Sequence, residues 1–405
     1  MVLQSDIERA FLDQQQWVKL PSDVLARSFL KGFKPSGGQI EVLTGIRRCG
    51  KSTVMWQLIR KHFRKVSFFN FEDSRIYGFE VRDFQKLDAV MPAASEAYFF
   101  DEIQNVESWE LYIRQLHDRG VKIFITGSNA SLLSRELGTR LTGRHLRHEV
   151  FPFSYPEFLK YRKLKKSGES LNQYLLQGGF PEYLRSGNPE VLQMLMKDIV
   201  LRDIAVRHGI RNTQSLMNIT LYLLSNIGKE CTFNRLKNSF ELGSANTASD
   251  YLHWLEDSYL LYFLPRFSYS ARKTQVNPRK VYAVDNGMIT ANTLSYTEDQ
   301  GRLLENAVYL HLRRQAYTLY YFQEKKECDF VVFDHKQCRY LLQVCMEVNS
   351  DTLHRETSGL LEAMAFFKLS EGYIITLNQA DTLELEGRKI YLVPAHVFLS
   401  GGVGI

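Results

Sequence analysis

The eight residues Gly45-Ile46-Arg47-Arg48-Cys49-Gly50-Lys51-Ser52 match GxxxxGK[ST], directly after the apolar run IEVLT and directly before the helical pattern KSTVMWQLIRKHF. In a strand-to-helix turn of this kind the backbone wraps so that its N–H groups point inward at an anion, and the helix N-terminus adds partial positive charge. Glycines at both ends allow the wrap. Lys51 is then placed to reach the β- and γ-phosphates of ATP, and the Ser52 hydroxyl to ligate Mg²⁺. The expected nucleotide-binding set runs through Gly45, Ile46, Arg47, Arg48, Cys49, Gly50, Lys51, Ser52 and Thr53. Arg47 and Arg48 either add charge near the phosphates or cover surface, and the residues leave both readings open.

From Gln39 onward, short apolar runs (IEVLTG, VSFFNF, AYFFDE, KIFITGS) alternate with helical patterns near Val81 to Val90 and Ser108 to Arg119. Apolar runs of five or six residues between amphipathic helices are the signature of buried parallel strands covered on both faces. The stripe Val54, Met55, Leu58, Ile59 is then the helix face packed on the sheet. A buried strand does not carry an unpartnered carboxylate in its middle, so Asp101 and Glu102, closing AYFFDE, project from its carboxyl end into the crevice where open α/β sheets bind ligands. Asp101 is expected to hold Mg²⁺ and Glu102 to orient or deprotonate the attacking water. The next strand ends in Thr126, Ser128 and Asn129, which either contact the γ-phosphate or form a simple polar turn.

A last strand-like run, HLRHEVFPF, leads into SYPEFLKYRKLKKSGES, where Ser154 is expected to cap a short helix and the basic stretch Lys160 to Lys166 to form a solvated linker. This predicts three domains, 1–165, 166–290 and 291–405. From Leu171 to Leu264 the pattern reads as helices without strands, ending in Thr213 to Asn226, Thr232 to Phe240 and Ser244 to Ser258. The strand-like runs YLLYFLPRF and KVYAVD then flank SYSARKTQVNPR, so the set resembles a winged helix whose basic wing bears Arg272, Lys273, Arg279 and Lys280. Strands at Asp329 to Phe333, Tyr340 to Val348, Gly372 to Thr376 and Lys389 to Val393 surround helices at Glu305 to Gln315 and Arg355 to Phe367, a second small α/β domain.

No run of about 18 uncharged apolar residues occurs, and the acids in MVLQSDIERAFLDQQQWVKL do not suit a secretory leader. A membrane protein is not expected. Five scattered cysteines without CxxC spacing predict reduced thiols in a cytoplasmic protein, with neither disulfides nor structural zinc. The formal charge of +6 favours anionic partners only mildly.

The P-loop, YFFDEIQNV, ITGSN and GTRLTGRHLRHEVFPFSYPEFL together resemble the AAA-type ATPases of bacteria and archaea, in the subgroup whose carboxyl half is a domain of unknown function. QGGFPEYL, KDIVLRDI, DYLHWLEDSYL and NPRKVYAVDNGM extend the resemblance over nearly the whole chain. It implies ATP hydrolysis by Lys51, Ser52, Asp101 and Glu102, with Ser128 or Asn129 sensing the γ-phosphate. It also implies that Arg144, with Arg140 second, is offered to a neighbouring subunit's nucleotide; pairing of Arg144 with Glu149 or surface acids is the competing reading. Such ATPases are similar to proteins with a restriction-endonuclease-like tail, which needs a helix glutamate, a strand aspartate and (D/E)xK. Glu305 and Asp329 fit the first two places, but Gln343-Val344-Cys345 stands at the third, so no nuclease activity is expected, with Glu347 or Glu356 as conceivable substitutes. Two functions follow: an ATPase coupling nucleotide state to its carboxyl-terminal domains in a homo-oligomer or with a protein partner, or a DNA-binding protein regulated by ATP.

Overall fold

The computed structural model describes residues 1–17, 24–128, 141, 143–293 and 300–402. The chain forms two compact units, Met1–Phe151 with Asp257–Tyr259, and Pro152–Glu256 with Leu260–Ile405.

In the first unit, helix α1 (Gln4–Trp17) precedes β1 (Ile40–Thr44), α2 (Lys51–His62), β2 (Val66–Asn70), α3 (Phe84–Val90), β3 (Ala97–Asp101), α4 (Trp109–Asp118), β4 (Ile123–Gly127) and β5 (His145–Glu149). The strands form one sheet in the order β2-β3-β4-β1-β5, every pair parallel. Alternation of side chains along each strand divides the core between two faces. Ile40, Val42, Phe69, Phe100 and Ile125 pack with Ile7 and Phe11 of α1, Phe84 of α3 and Trp109 of α4. On the other face Phe99 and Phe124 stack at 4.5 Å, with Phe63, just after α2, edge-on to both. Val54, Met55, Leu58 and Ile59 are buried in α2, the stripe expected from their spacing.

Glu41, the second residue of β1, is buried, and its partners explain why it is tolerated. Lys122 Nζ lies 2.9 Å from Oε1, His148 Nε2 lies 2.8 Å from Oε2, and the Ser36 backbone N–H donates at 2.7 Å. Burial works to raise its pKa, but these donors outweigh burial and hold the carboxyl at about 2.

The second unit opens with α5 (Tyr155–Arg162), where Ser154 is the N-cap as expected: its hydroxyl accepts from Glu157 N–H, and Glu157 accepts from Ser154 N–H. Helices α6 (Gly168–Gln177), α7 (Pro181–Ser186) and α8 (Glu190–Asp198) follow, the last running into eight residues of wider π-helical turn, Ile199–Val206. Then come α9 (Thr213–Leu224), β6 (Glu230–Cys231), α10 (Phe233–Ser239), α11 (Ala245–Asp257), β7 (Leu261–Pro265), α12 (Ala271–Val276), β8 (Arg279–Ala283) and α13 (Asn286–Asn292). Strands β6, β8 and β7 pair antiparallel in that order. Three features differ from the sequence reading. The short β6 lies inside the stretch read as free of strands, because two residues carry no periodicity. The segment read as a wing contains the helix α12, capped by Ser270, whose hydroxyl accepts from Lys273 N–H. Lys280, read as a solvent-facing wing cation, is buried at 2% exposure.

The remaining elements are α14 (Gln300–Arg314), β9 (Thr318–Gln323), β10 (Glu327–Asp334), β11 (Gln337–Val344), α15 (Leu353–Phe367), β12 (Glu371–Thr376), β13 (Asp381–Leu385), β14 (Arg388–Pro394) and α16 (Ala395–Phe398). Six strands form a mixed sheet in the order β13-β14-β12-β11-β10-β9. Leu341, Ile374 and Ile390 face Leu360, Ala363 and Met364 of α15. Strands β9 and β13 lie at the sheet edges, where half-exposed alternation blurs the apolar signal. Among the described residues no helix is long and apolar enough to cross a membrane, and all five cysteines are free.

Candidate nucleotide-binding site

The turn between β1 and α2 has the backbone that its glycines permit. Gly45 has φ of 144°, and a Cβ there would stand 2.1 Å from the Val150 carbonyl oxygen. Gly50 has φ of 99° and caps α2 in the left-handed region, where a side chain is strained. Ser52 and Thr53 occupy the first turn of α2. Cys49 is buried and its thiol donates to Val150 O at 3.2 Å; burial pushes that thiol's pKa up. Arg48 is exposed, whereas Arg47 Nη2 meets Glu72 Oε1 at 3.0 Å, so a carboxylate from the turn after β2 engages one of the two loop arginines.

Lys51 folds back over this loop. Its Nζ lies 3.2 Å from Gly45 O, 3.3 Å from Ile46 O and 3.2 Å from Glu102 Oε1. Both side chains are nearly enclosed, at 4% and 12% exposure. Burial is the largest influence and pulls the Lys51 pKa down, but the surrounding acidic groups, Glu102 first and then Cys49 and Asp101, together outweigh it and keep the ammonium above its ordinary value. Burial likewise pushes Glu102 up, and the Lys51 charge together with hydrogen bonds from Gln104, Lys51 and Ser128 overrides it, leaving the carboxyl below its ordinary range. The P-loop and the end of β3 are thus joined by a buried ion pair.

Glu102 owes its direction to a left-handed backbone, φ 52°, uncommon for a residue with a side chain and typical of functional sites. Thr126, from the adjacent strand β4, holds this turn: its hydroxyl accepts from Glu102 N–H at 2.8 Å and donates to Asp101 Oδ1 at 2.5 Å. Asp101 is buried, and its Oδ2 has no hydrogen-bond partner among the described residues. Burial, then the charge of Glu102, raises its pKa to about 6, against the neighbouring Thr126 and Ser52 hydroxyls and the Lys51 ammonium. An unpartnered buried carboxylate oxygen beside Ser52 is the chemistry a hard cation selects, so the residues present fit a Mg²⁺ ion. No group of three or more His, Cys, Asp or Glu suited to a metal occurs among the described residues.

Sequence reasoning passed over Gln104. Its amide donates to the Glu102 carboxylate and lies 3.4 Å from Ser128 Oγ, linking the ends of β3 and β4. The only signal was its place two residues beyond the acids. Asn129 and Arg140 lie outside the described residues. Arg144 is paired with Asp118 at 3.1 Å, one of the surface acids its competing reading allowed, rather than with Glu149.

In the second unit Glu305 and Asp329 do come together, but around an ammonium. Lys280 Nζ stands 3.3 Å from Glu305 Oε1, 2.8 Å from Asp329 Oδ1 and 2.7 Å from Glu327 Oε1. The Tyr282 hydroxyl donates to Glu305 at 2.7 Å, and burial raises the Glu305 carboxyl to about 7. Gln343 is occupied by Asp329 N–H and by Glu356, its amide donating to the latter at 3.3 Å, and Cys345 is buried.

Residues 38–159 match the model of an AAA domain, and residues 168–299 that of a domain of unknown function, DUF8612. The chain is 35% identical over 369 residues to the uncharacterized protein MJ1544 of Methanocaldococcus jannaschii, covering 84% of this chain and 82% of that protein. It is 30% identical over 378 residues to an uncharacterized protein of Haemophilus influenzae, covering 87% and 93%. Among solved structures it is similar to the Walker-type ATPase PABY2304 of Pyrococcus abyssi at 16% identity and a TM-score of 0.39, over 72% of this chain and 95% of that one.

Proposed function

Since the chain belongs to the same family as the uncharacterized protein MJ1544 and matches an AAA domain over residues 38–159, we propose that it hydrolyses ATP to ADP and phosphate and couples its nucleotide state to the carboxyl-terminal unit. The observation that carries this reading is the buried Lys51–Glu102 pair beside the unpartnered Asp101 oxygen. A bare loop would serve an anion; a loop joined to two acids serves a triphosphate with its cation and an attacking water.

In this reading Lys51 leaves the carbonyls of Gly45 and Ile46 and takes the β- and γ-phosphate oxygens. Glu102, released from Lys51, orients the water and accepts its proton, with Gln104 and Ser128 steadying it and Thr126 fixing its backbone. Ser52 and Asp101 would hold Mg²⁺, which when bound neutralises charge on the phosphates. Ser128 and Asn129 sense the γ-phosphate. Arg144 acts across a subunit interface, which requires it to leave Asp118 and requires a homo-oligomer.

The order α9, β6, α10, α11, β7, β8 supports a winged-helix reading of the second unit. Its third helix, α11, contains no Lys or Arg, and Lys280 is internally neutralised. These features favour a domain that packs against protein over one that reads DNA. We assign no nuclease step to the Lys280 cluster. The site of action is the cytoplasm, a reading supported by the five free cysteines.

Calorimetry with Mg²⁺ present tests the core of this proposal. Wild-type protein binds ATP and turns it over, and Lys51→Ala binds at least a hundredfold more weakly; equal binding by the two proteins refutes it.

A further inference from the structure

A phosphate loop grips an anion with inward amides, and a loop carbonyl turned away from that anion into the protein needs a donor of its own. The carbonyl of Cys49, the last before Gly50, receives one from outside the motif. Arg27, 18 residues before Gly45, is buried at 5% exposure and donates through Nη1 to Cys49 O at 2.9 Å. Its Nη2 donates to Phe151 O at 2.5 Å.

The second contact ties the loop's end to its beginning. Val150 and Phe151 are consecutive peptide units leaving β5. The Val150 carbonyl is the wall against which Gly45 packs with no room for a Cβ, and it also accepts from the Cys49 thiol. One guanidinium therefore clamps the back of residue 49 to the segment that walls residue 45. It also lies over the bare Cα of Gly50, where a Cβ would come within 3.1 Å of Nη1.

Arg27 is itself held from α2, the helix the loop feeds. Its backbone N–H donates to Gln57 Oε1 at 3.1 Å, and the Gln57 amide donates to Leu25 O at 2.8 Å. The planar fork matters because two divergent carbonyls are reached by one rigid group; a lysine is a single flexible point charge.

We propose that Arg27 is a positioning residue of the phosphate loop, holding the Cys49 carbonyl away from the anion so that the amides at the loop's end converge on it, and adding a fixed positive charge behind it. This rests on the nucleotide-binding reading.

The test measures Mg–ATP and inorganic tripolyphosphate affinity by calorimetry, with thermal unfolding alongside, for wild type, Arg27→Lys and Gln57→Ala. Arg27→Lys keeps the charge and loses the fork; it is expected to weaken ATP and tripolyphosphate by the same factor, about tenfold. Gln57→Ala removes the anchor while leaving loop and guanidinium intact, and weakens both ligands several-fold. Unchanged affinities in folded Arg27→Lys overturn the proposal, as does a loss for ATP alone, which would put Arg27 on the nucleoside. Should Arg27→Lys fail to fold, unchanged affinities in Gln57→Ala overturn it equally. A wild type that binds neither ligand sinks the nucleotide reading and this one together, whereas the other failures leave nucleotide binding standing.

Discussion

Glu102→Gln separates the two roles assigned to one carboxylate. In the free protein Glu102 neutralises Lys51 at 3.2 Å in a nearly enclosed site. With an effective dielectric of about 20, two unit charges at that distance attract by roughly 5 kcal/mol. Desolvation offsets much of this, yet removing one partner leaves a buried charge alone and typically costs about 3–5 kcal/mol. The ligand-free variant should therefore lose about 3 kcal/mol of stability. ATP must displace Glu102 from Lys51 in the wild type but meets no such competitor in the variant. Its affinity should rise about tenfold, or ~1.4 kcal/mol, while turnover falls about a hundredfold or more through loss of the general base. Urea unfolding with and without Mg–ATP, together with a phosphate-release assay, reads all three quantities. ATP binding that weakens in the variant, or ligand-free stability that does not change, refutes this account of the Lys51–Glu102 pair.

Three further outcomes follow from the titrating groups. Asp101 must be ionised to hold a cation, and its pKa is raised to about 6, so Mg²⁺-dependent enhancement of ATP binding should decline as pH falls below 6 by more than in Asp101→Asn, where only the ATP terminal phosphate titrates; calorimetry of both proteins at pH 5, 6 and 7.5 checks this. Glu41 has a folded pKa of about 2 against 4.5 unfolded; its stabilisation is complete above 4.5 and lost as pH falls toward 2, about 3 kcal/mol in all, and acid unfolding of Glu41→Gln should lack that component. Lys280→Met leaves three carboxylates facing one another and should destabilise the protein by about 3–5 kcal/mol at pH 8. The loss should shrink at pH 6: Glu305 is raised to about 7 with Lys280 beside it and rises further without the ammonium, so the variant already holds at pH 8 the proton that the wild type takes up only on acidification; an equal loss at both pH values in urea titrations contradicts this account.

The sequence by itself determined the five parallel strands, the P-loop, the paired acids closing β3 and most of the helices of the second unit. Each is written in neighbouring residues: GIRRCGKS needs its own glycines to wrap, AYFFDE needs only its apolar run and terminal charges, and α2 needs the spacing of Val54, Met55, Leu58 and Ile59. Tertiary structure decided what those groups touch. That Lys51 is held by Glu102, that Arg27 clamps Cys49 to Phe151, that Glu41 survives inside a strand, and that Lys280 is the centre of a carboxylate cluster instead of a wing cation are contacts between residues far apart in the chain. A local pattern reports whether a side chain faces a core, because burial repeats with the period of the backbone. It does not report which distant charge shares that core, because a buried ion is tolerated only by a partner that the fold must first deliver.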